Sequence, residues 1–374
     1  MPSAPLRSLE DAKTHARQWL FDYAAPLWAS EGICGDGMFA ERLTLDGKRV
    51  DMPRRLRVQA RQIYSFCAIG QLGWNGPWRE IVTRAVDILL AKGRRSDGLF
   101  VHLFSPEGDV VNQSLDLYDH AFGLFALAHA GHALGRSDLL TIAEDIQAKL
   151  DADWWREAGG YWEGELTPCP PYRQNPHMHM LETAYANWQA SGSEAWRMRL
   201  DRLGTLFENK FWDPQSGAVT EYFDDAWNRL DGPDGRIVEP GHCLEWAWLF
   251  EVALPSKTHI SDGLTCFARQ HGVDAERGVA FNEVWLDGRP KDQTARLWPQ
   301  TERLKAAMAR LRRTGDASEM EEAVKAYTGL ALYFETPARG VWRDRLKADD
   351  AWIEEDAPAS SFYHIVCALT ELLN

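Results

Sequence analysis

The feature that most constrains the fold of this chain is a repeat of about 60 residues. Apolar residues at helical spacing predict amphipathic helices near residues 8–28, 54–72, 76–92, 117–134, 136–152, 177–191, 194–210, 241–254, 257–272, 292–312, 317–335 and 358–373. The helices come in pairs, and the pairs are separated by short strand-like segments that each open with a glycine. These glycines are Gly98, Gly160, Gly217, Gly278 and Gly340. Six units of helix, turn, helix and hairpin-like loop therefore account for the whole length.

Six helix pairs can bury their apolar faces either by stacking into an open solenoid or by closing into a ring. An open array needs distinct polar repeats at its two ends, and this sequence contains none. We therefore predict an all-α fold in which residues 1–374 form a single domain, a closed double ring of inner and outer helices. Short β-hairpin-like loops are expected at one face.

Composition narrows the classes of partner and location. The 374 residues carry a formal net charge of -14, which argues against a nucleic-acid or anionic-membrane partner, since either requires a basic face. No apolar run of about 18 residues occurs, and the first residues lack the apolar segment of a secretory signal, so we predict a cytoplasmic protein. The six cysteines are scattered without C-x-x-C spacing, so neither disulfides nor a zinc site is expected.

Unusual polar residues concentrate in the N-terminal halves of every second helix, the set expected to form the inner ring. They are Arg57, Arg61, His120, His179, Glu182, His242, Glu245, Glu302 and His364. Ionisable groups drawn from all six units to one end of one ring predict a pocket. The 17 tryptophans include faces on which sugars can stack, although tryptophan is also an ordinary core residue.

Two histidines have a glutamate three residues later in the sequence. His179 with Glu182 and His242 with Glu245 share the spacing H-x-x-E, which places a carboxylate beside an imidazole on one helical face. Such a carboxylate fixes the tautomer and supports a general base near neutral pH. Either pair alone could also be a buried histidine with a structural partner, and the occurrence of both favours function.

The remaining histidines carry a weaker signal. His364 has no nearby carboxylate in the sequence and could be a core residue, but its place on the last inner helix favours function. His120 follows Tyr118 closely, and a structural role and a substrate contact are equally open. His177 lies two residues before His179, so on a helix it points elsewhere, and we expect it to secure the loop.

Other residues of the predicted pocket suit an oxygen-rich ligand. Arg57 and Arg61 share one helical face and could hold an anionic sugar oxygen, a carboxylate or a phosphate. Glu302 could fix Arg61, Arg303 or a sugar hydroxyl, and Trp298 could stack against a sugar. Glutamate and histidine sets also build metal sites in helical bundles. The lack of an H-x-x-x-H pair or an aspartate cluster argues against a required metal.

The motifs VQAR, DHAF, NPHMHMLE, PGHCLEW, RLWPQTE and FYHI, in this order, resemble the N-acylglucosamine 2-epimerase superfamily. This superfamily includes N-acylglucosamine and cellobiose 2-epimerases, mannose isomerases and sulfoquinovose isomerases. The resemblance runs from about residue 20 to the C terminus. It implies an (α/α)6 barrel of six helical hairpins, without a metal or other cofactor, that acts on C1 and C2 of an opened reducing sugar. It also implies that a homodimer is possible.

Carried over by motif, the resemblance implies roles for individual residues. His242 and His364 would be the acid/base pair, with Glu245 orienting His242. Arg61 would contact the substrate oxygens, and Trp298 would pack against the sugar. The full set of expected substrate-binding residues is Arg57, Arg61, Tyr118, His120, Asn175, His179, Glu182, Trp298 and Glu302.

The resemblance, with these residues, implies a metal-independent aldose–ketose isomerase of the mannose/fructose type, which would remove the C2 proton through a cis-enediolate. A 2-epimerase of the N-acylglucosamine or cellobiose type is the alternative, and a glycoside hydrolase, a lyase or a non-catalytic sugar-binding protein is less favoured. Arg57 and Ser360 differ from the residues that mannose and sulfoquinovose isomerases carry at these positions. The identity of the sugar, including a phosphorylated or otherwise anionic one, therefore stays open.

Overall fold

The structure, a computed structural model, describes residues 6–374. Its helices are α1 (Leu9–Gln18), α2 (Ala25–Ser30), α3 (Leu56–Gln71), α4 (Trp78–Lys92), α5 (Leu117–Leu134), α6 (Ser137–Asp153), α7 (Asn175–Ser191), α8 (Glu194–Leu206), α9 (Pro240–Ala253), α10 (Thr258–His271), α11 (Leu297–Thr314), α12 (Ala317–Ala331) and α13 (Ala359–Leu373). A π-helical turn, Trp19–Ala24, joins α1 to α2, and another, Phe207–Phe211, extends α8. Short 3₁₀ turns occupy Asp234–Arg236, Pro255–Lys257 and Leu332–Phe334.

The helices form two concentric rings. The inner ring runs α3, α5, α7, α9, α11 and α13, and α13 packs against α3 to close it. Helices α4, α6, α8, α10 and α12 pack outside it, and α1 takes the remaining outer place against α12 and α13. The fold is an (α/α)6 barrel, which confirms the predicted closed double ring. Among residues 6–374, no helix combines the length and the apolarity that crossing a bilayer requires.

Burial separates the two rings. The inner helix α5 is buried along most of its length and on all sides, as a helix enclosed by others must be. The outer helix α6 buries a single stripe at helical spacing, formed by Leu139, Ala143, Ile146 and Leu150. Inner helices can therefore carry polar groups only where those groups find partners or face a cavity.

The repeated glycines have a backbone cause. Gly98, Gly160, Gly217, Gly278 and Gly340 all have φ between +71° and +97°, the left-handed region that a residue with a Cβ adopts only at a cost. At Gly160 space is also short, because a Cβ there would lie 2.9 Å from His177 Nε2. Each glycine turns the chain from an outer helix into the following loop.

The loops contain short antiparallel strands at the end of the barrel where the inner helices begin. The pairs are Arg42–Leu43 with Ala357–Pro358, Arg54–Arg55 with Leu103–Phe104, Leu103–Phe104 with Val110–Asn112, Tyr172–Arg173 with Tyr222–Phe223, Trp212–Asp213 with Ala218–Val219, Val273–Asp274 with Val279–Ala280, Glu283–Trp285 with both Pro290–Asp292 and Ile237–Val238, and Ala295–Arg296 with Arg345–Leu346. The first of these pairs ties the first loop to the last and so closes the loop layer above the closed ring.

A repeated hydrogen bond fixes several loops on the inner helices. His120 Nε2 accepts from the Phe100 N–H at 3.1 Å, and His177 Nε2 accepts from the Tyr161 N–H at 2.8 Å. Gln59 of α3 and Gln300 of α11 each accept a hydrogen bond from a loop backbone N–H in the same way. His177 therefore secures its loop as expected. The expected substrate contact of His120 is corrected, because its ring is fully buried against the loop.

Candidate functional site

A cavity of about 290 Å³ opens at the end of the barrel where the inner helices begin. We call it the mouth cavity. The inner helices line it with Arg57, Arg61, Tyr118, Asn175, His179, His242, Glu245, Trp298, Ser360, Ser361 and His364, and the preceding loop ends add Arg55, Arg173, Glu239 and Arg296. Most of the predicted site residues thus share one hollow. His120, Glu182 and Glu302 do not line it.

His242 is held by a carboxylate that the sequence pattern did not indicate. Its Nδ1 lies 2.9 Å from Glu221 Oε2 and 3.9 Å from Glu239 Oε2. Burial lowers the pKa of His242, but the two carboxylates outweigh burial and raise it to about 10. His242 is therefore an imidazolium at neutral pH, and the expectation that Glu245 orients it is corrected.

The register of the repeat explains the correction. Cys243 faces the backbone of Val219 in its loop, so it occupies the position that the loop-fixing His177 holds in α7. Glu245 follows Cys243 by two residues, as His179 follows His177. Glu245 thus corresponds to His179, not to Glu182. The H-x-x-E spacing at residues 242–245 is a coincidence of sequence, and the partner of His242 comes from the loop before α9.

His364 is supported by a buried ion pair. Its Nδ1 lies 2.9 Å from Glu302 Oε1, and Glu302 Oε2 lies 2.6 Å from Lys305 Nζ. Burial lowers the pKa of His364 to about 3, so the ring is neutral and its Nε2 is free to accept a proton. Glu302 is fully buried behind His364. It positions this histidine, and the expected substrate contact of Glu302 is corrected.

Trp298 lies beside both of these histidines. Its ring centroid is 4.9 Å from that of His242 and 5.8 Å from that of His364. One small molecule lying on Trp298 can therefore reach an imidazolium and a neutral imidazole. Environments that push two like groups to opposite protonation states are typical of acid/base pairs.

His179 and Glu182 form the local pair that the sequence predicts. His179 Nδ1 lies 3.0 Å from Glu182 Oε2, and Tyr363 donates its hydroxyl to the same carboxylate at 2.5–2.6 Å. Burial lowers the pKa of His179 to about 4. Glu182 stays ionised because His179, Lys305 and Tyr363 outweigh the effect of burial and lower its pKa to about 2. Glu182 supports His179 from behind, so its expected contact with substrate is corrected.

Glu245 lies between two of the histidines. A carboxylate oxygen of Glu245 lies within 4.8 Å of a carboxylate oxygen of Glu302 and a ring nitrogen of His364. A carboxylate oxygen of Glu245 also lies within 4.8 Å of a ring nitrogen of His179 and a carboxylate oxygen of Glu182. Burial, together with the neighbouring Glu302 and Glu182, raises its pKa well above the usual range. Within the described chain, Glu245 Oε1 has no hydrogen-bond partner. Burial therefore favours the protonated carboxyl of Glu245 at the floor of the mouth cavity, against the opposing charge of Lys305 at 3.9 Å.

The two arginines of α3 differ in their partners. Arg57 binds Asp116 at 2.5 Å and Asp119 at 2.7 Å, so its charge is neutralised. Arg61 donates to Tyr118 Oη at 2.7 Å and lies over the ring of Phe122, 4.1 Å from its centroid. No carboxylate among residues 6–374 pairs with Arg61. Its charge is available to a ligand oxygen.

Some site residues carry no recognisable sequence signal. Glu221 comes from a distant loop segment, and only the folded chain brings it to His242. Glu239, in contrast, precedes His242 by three residues, so a local spacing rule could have found it. Lys305 had a signal, because it follows Glu302 by three residues and lies in the apolar run LKAAMA of a predicted inner helix, where a buried lysine needs a charged partner. The loop arginines Arg55, Arg173 and Arg296 each precede an inner helix by one or two residues.

The fold is an (α/α)6 barrel, and His179, His242 and His364 line the cavity at its mouth. The chain belongs to the N-acylglucosamine 2-epimerase (GlcNAc 2-epimerase) family, whose model matches residues 37–368. It is 37% identical over 371 residues to a mannose-6-phosphate isomerase of Rhizobium meliloti (strain 1021), covering 95% of each chain. It is 29% identical over 273 residues to a D-mannose isomerase of Thermobifida fusca, covering 67% of this chain and 66% of that protein.

Solved structures share the fold. A D-mannose isomerase superposes with a TM-score of 0.87 at 21% identity, covering 100% of this chain and 99% of that one. A cellobiose 2-epimerase from Bacillus thermoamylovorans B4167 gives a TM-score of 0.87 at 18% identity, covering 96% and 98%. Family membership and these relatives make this chain a sugar isomerase or epimerase, as the sequence motifs predicted.

Proposed function

We propose that this protein is an aldose–ketose isomerase that interconverts a mannose-type aldose and a fructose-type ketose. The observation that carries the proposal is the pair His242 and His364, which lie on one tryptophan and hold opposite protonation states. A proton on C2 of a sugar is weakly acidic, so its removal requires a positioned base and a donor that stabilises the enediolate oxygen. The mouth cavity supplies both.

In this mechanism His364 is the base. Glu302 holds its Nδ1–H, so Nε2 takes the proton from C2 of the open-chain aldose. The imidazolium of His242 donates to O1, and Arg61 stabilises the negative charge that develops on the enediolate. Return of the carbon-bound proton from His364 to C1, with transfer of the O2 hydroxyl proton to the now neutral His242, gives the ketose and restores both histidines. Glu245, as a neutral acid, donates a hydrogen bond to a sugar oxygen.

A 2-epimerase is the second candidate. Because His242 and His364 both lie against Trp298, a proton could leave one face of C2 and return to the other. A relative from Bacteroides fragilis, 21% identical over 383 residues, is a cellobiose 2-epimerase. The two reactions share the enediolate and differ in which carbon, or which face, is reprotonated.

Incubation in heavy water separates the two reactions. The protein is given mannose, glucose, N-acetylglucosamine or mannose 6-phosphate, and the products are identified with the position of their deuterium. Deuterium at C1 of a ketose supports the isomerase, and deuterium at an inverted C2 supports the epimerase. Reducing ends released from disaccharides would indicate a hydrolase instead, and tight binding without exchange would indicate a binding protein.

Independence from metal is part of the proposal. Three sets of groups around the mouth cavity bring donor atoms within 4.8 Å of one another, and a cation could occupy such a set. We propose that these groups act through protons, because in each set a carboxylate oxygen lies 2.9–3.0 Å from a histidine Nδ1, the separation of a hydrogen bond. Dialysis against EDTA should leave kcat unchanged. Loss of activity that is restored by a divalent cation would contradict this part of the proposal.

The two most similar relatives named above agree on a mannose-type hexose and differ in whether it carries a phosphate. The proposed reaction involves only C1 and C2, so it accommodates either substrate. A homodimer and a cytoplasmic location stay predictions.

A further inference from the structure

The mouth cavity continues outward into a larger space of about 510 Å³. We call it the outer cavity. Three loops form it, within residues 42–55, 282–296 and 344–360, and the two cavities share Arg55, Arg296 and Ser360. The mouth cavity alone has room for a monosaccharide, since binding sites for whole drug-sized ligands begin near 300 Å³. The outer cavity therefore leaves room for a further group attached to the sugar.

Most arginines around the outer cavity are already paired. Arg345 binds Glu355 through two hydrogen bonds of 2.6 and 2.8 Å. Arg42 lies 3.7 Å from the same carboxylate and donates to the Asp356 carbonyl at 3.2 Å. Arg55 is paired with Glu41, which also accepts the Arg55 backbone N–H. These charges stabilise the loops and are not free for a ligand.

Arg296 differs from the others. Its nearest carboxylate oxygen, Asp344 Oδ2, lies 3.8 Å from Nε, too far for a hydrogen bond. The Asp344 carboxylate accepts the Ser361 hydroxyl at 2.8 Å, and burial raises its pKa. The Arg296 side chain is 43% exposed. Within the part of the chain that the structure describes, it is the outer-cavity arginine whose side chain donates no hydrogen bond to the protein, whereas Arg42, Arg55 and Arg345 each donate at least one.

The carboxylates of the outer cavity are also occupied. Asp292 accepts from Asn282 Nδ2 and from the Thr294 N–H, both at 2.9 Å. Glu355 carries two arginines. A negative group entering the outer cavity therefore meets carboxylates that already accept hydrogen bonds, and one guanidinium that donates none to the protein. Arg296 lies at the junction with the mouth cavity, where a group attached to a bound sugar would emerge.

We propose that the outer cavity binds the phosphoryl group of a hexose phosphate, with Arg296 as its principal contact. The proposal rests on the proposed function and names its substrate class. A guanidinium presents paired N–H donors that match phosphate oxygens bidentately, which an ammonium cannot do. Ser360 lines both cavities beside Arg296 and adds a hydroxyl group to the junction.

The test compares kcat/KM for mannose and mannose 6-phosphate. The wild-type protein should prefer the phosphorylated sugar by about 10-fold or more, the gain from one well-formed charged contact. Arg296→Gln should lower kcat/KM for mannose 6-phosphate by about 10- to 100-fold, mainly through KM. This loss should exceed the loss for mannose by at least about 10-fold. The matched control is Arg289→Gln, which removes an exposed arginine of the same loop that pairs with Asp287 and should change neither value.

A second variant and a binding measurement keep the inference testable. If thermal melting shows that Arg296→Gln is unfolded, Arg296→Lys keeps the charge and should still raise KM for mannose 6-phosphate, because the bidentate contact is lost. Inorganic phosphate should inhibit the turnover of mannose competitively, and more weakly in Arg296→Gln. If free phosphate binds but mannose 6-phosphate is not preferred, the site is an anion site separate from the substrate, and the proposal is wrong.

Other outcomes would also overturn it. Equal losses for both sugars in Arg296→Gln would show that Arg296 acts on the sugar itself. A neutral disaccharide used better than mannose 6-phosphate would place a second sugar in the outer cavity. If neither mannose nor its phosphate is converted, the proposed function fails. Calorimetric titration of mannose 6-phosphate into the wild-type and Arg296→Gln proteins then decides the phosphate site separately, and equal affinities would overturn it.

Discussion

The barrel has a cavity at each end, and the two are similar in size but opposite in chemistry. The mouth cavity, about 290 Å³, is lined by five arginines and three histidines. The cavity at the other end, about 300 Å³, is lined largely by apolar and aromatic side chains such as Tyr64, Phe125, Tyr185 and Trp248. Among the described residues that line this far cavity there is no arginine or lysine. Five inner helices, α3, α5, α7, α9 and α13, line both cavities. The ring therefore supplies the space, and the residues at the starts of its helices supply the polar groups.

Buried charges separate the two cavities. Glu182 lines the far cavity while its carboxylate holds His179 in the mouth cavity. Lys305 Nζ lies 2.6 Å from Glu302 and 3.7 Å from the ring centroid of Trp248. Each carboxylate supports a histidine from below. A histidine in this barrel therefore becomes a candidate acid or base when a carboxylate holds Nδ1 and Nε2 reaches the polar cavity.

The largest expected effect compares a histidine from each cavity. His129 lines the far cavity without a carboxylate, and burial lowers its pKa to about 4. His364→Asn should reduce kcat by about 10²- to 10⁴-fold, the usual contribution of a general base. His129→Asn should change kcat less than about 3-fold, because it touches no reacting atom. Steady-state conversion of mannose or its phosphate measures both, and similar losses in the two variants would break the comparison.

The next effect tests the carboxylate that holds His242. Glu221→Gln removes the nearer of the charges that raise the pKa of His242 to about 10. Activity that needs the imidazolium declines as pH rises through this pKa, so the alkaline limb should move to lower pH. A loss of about 10- to 100-fold in kcat/KM is typical for a supporting carboxylate. Glu371→Gln, at the far cavity, is the control, and an unmoved alkaline limb in Glu221→Gln would remove His242 from the acid role.

A smaller effect concerns stability in acid. The folded protein holds His129 neutral with a pKa of about 4, below the unfolded value near 6.5, so the unfolded state binds a proton first. Its contribution to the free energy of unfolding is therefore present above pH 6.5 and is lost as pH falls towards 4. His129→Gln should reduce the pH dependence of the free energy of unfolding in this range by about 1.4 kcal/mol per pH unit. Urea denaturation at pH 6.5 and pH 5 measures the slope, which must differ between the two proteins.

The smallest expected effect fills the far cavity. Ala186 lines it and is 8% exposed. Because the added atoms enter empty space, Ala186→Leu should change the free energy of unfolding by less than about 1.5 kcal/mol. It should leave kcat within about 2-fold, because Ala186 touches neither His179 nor the mouth cavity. A large loss of kcat would show that the far cavity takes part in the reaction, and it would contradict the assignment of the chemistry to the mouth cavity.

Prediction from the sequence succeeded where local rules decide the structure. Helical spacing and the left-handed glycines are properties of short segments, so the helix pairs and their order could be read directly. The concentration of polar residues at the starts of every second helix located the cavity, because inner helices of a closed ring converge there. The pair His179 and Glu182 was found for the same reason, since three residues make less than one helical turn.

Prediction failed where a partner comes from elsewhere in the chain. Glu221 is 21 residues from His242, and Glu302 is 62 residues from His364. No local spacing signals such contacts, and the H-x-x-E rule instead assigned Glu245 to His242. The predicted substrate contact of His120 was wrong because this residue occupies the loop-fixing position of its helix and points away from the cavity.

The amino-acid order alone therefore determined that six helical hairpins close into a ring with a polar mouth, since hydrophobic periodicity and backbone conformation are local. Only the tertiary structure decided which histidine is charged and which neutral, because a pKa depends on burial and on charges that distant segments bring near. It also decided that Arg296 keeps a free edge at the mouth, since pairing with carboxylates is settled only when the loops meet.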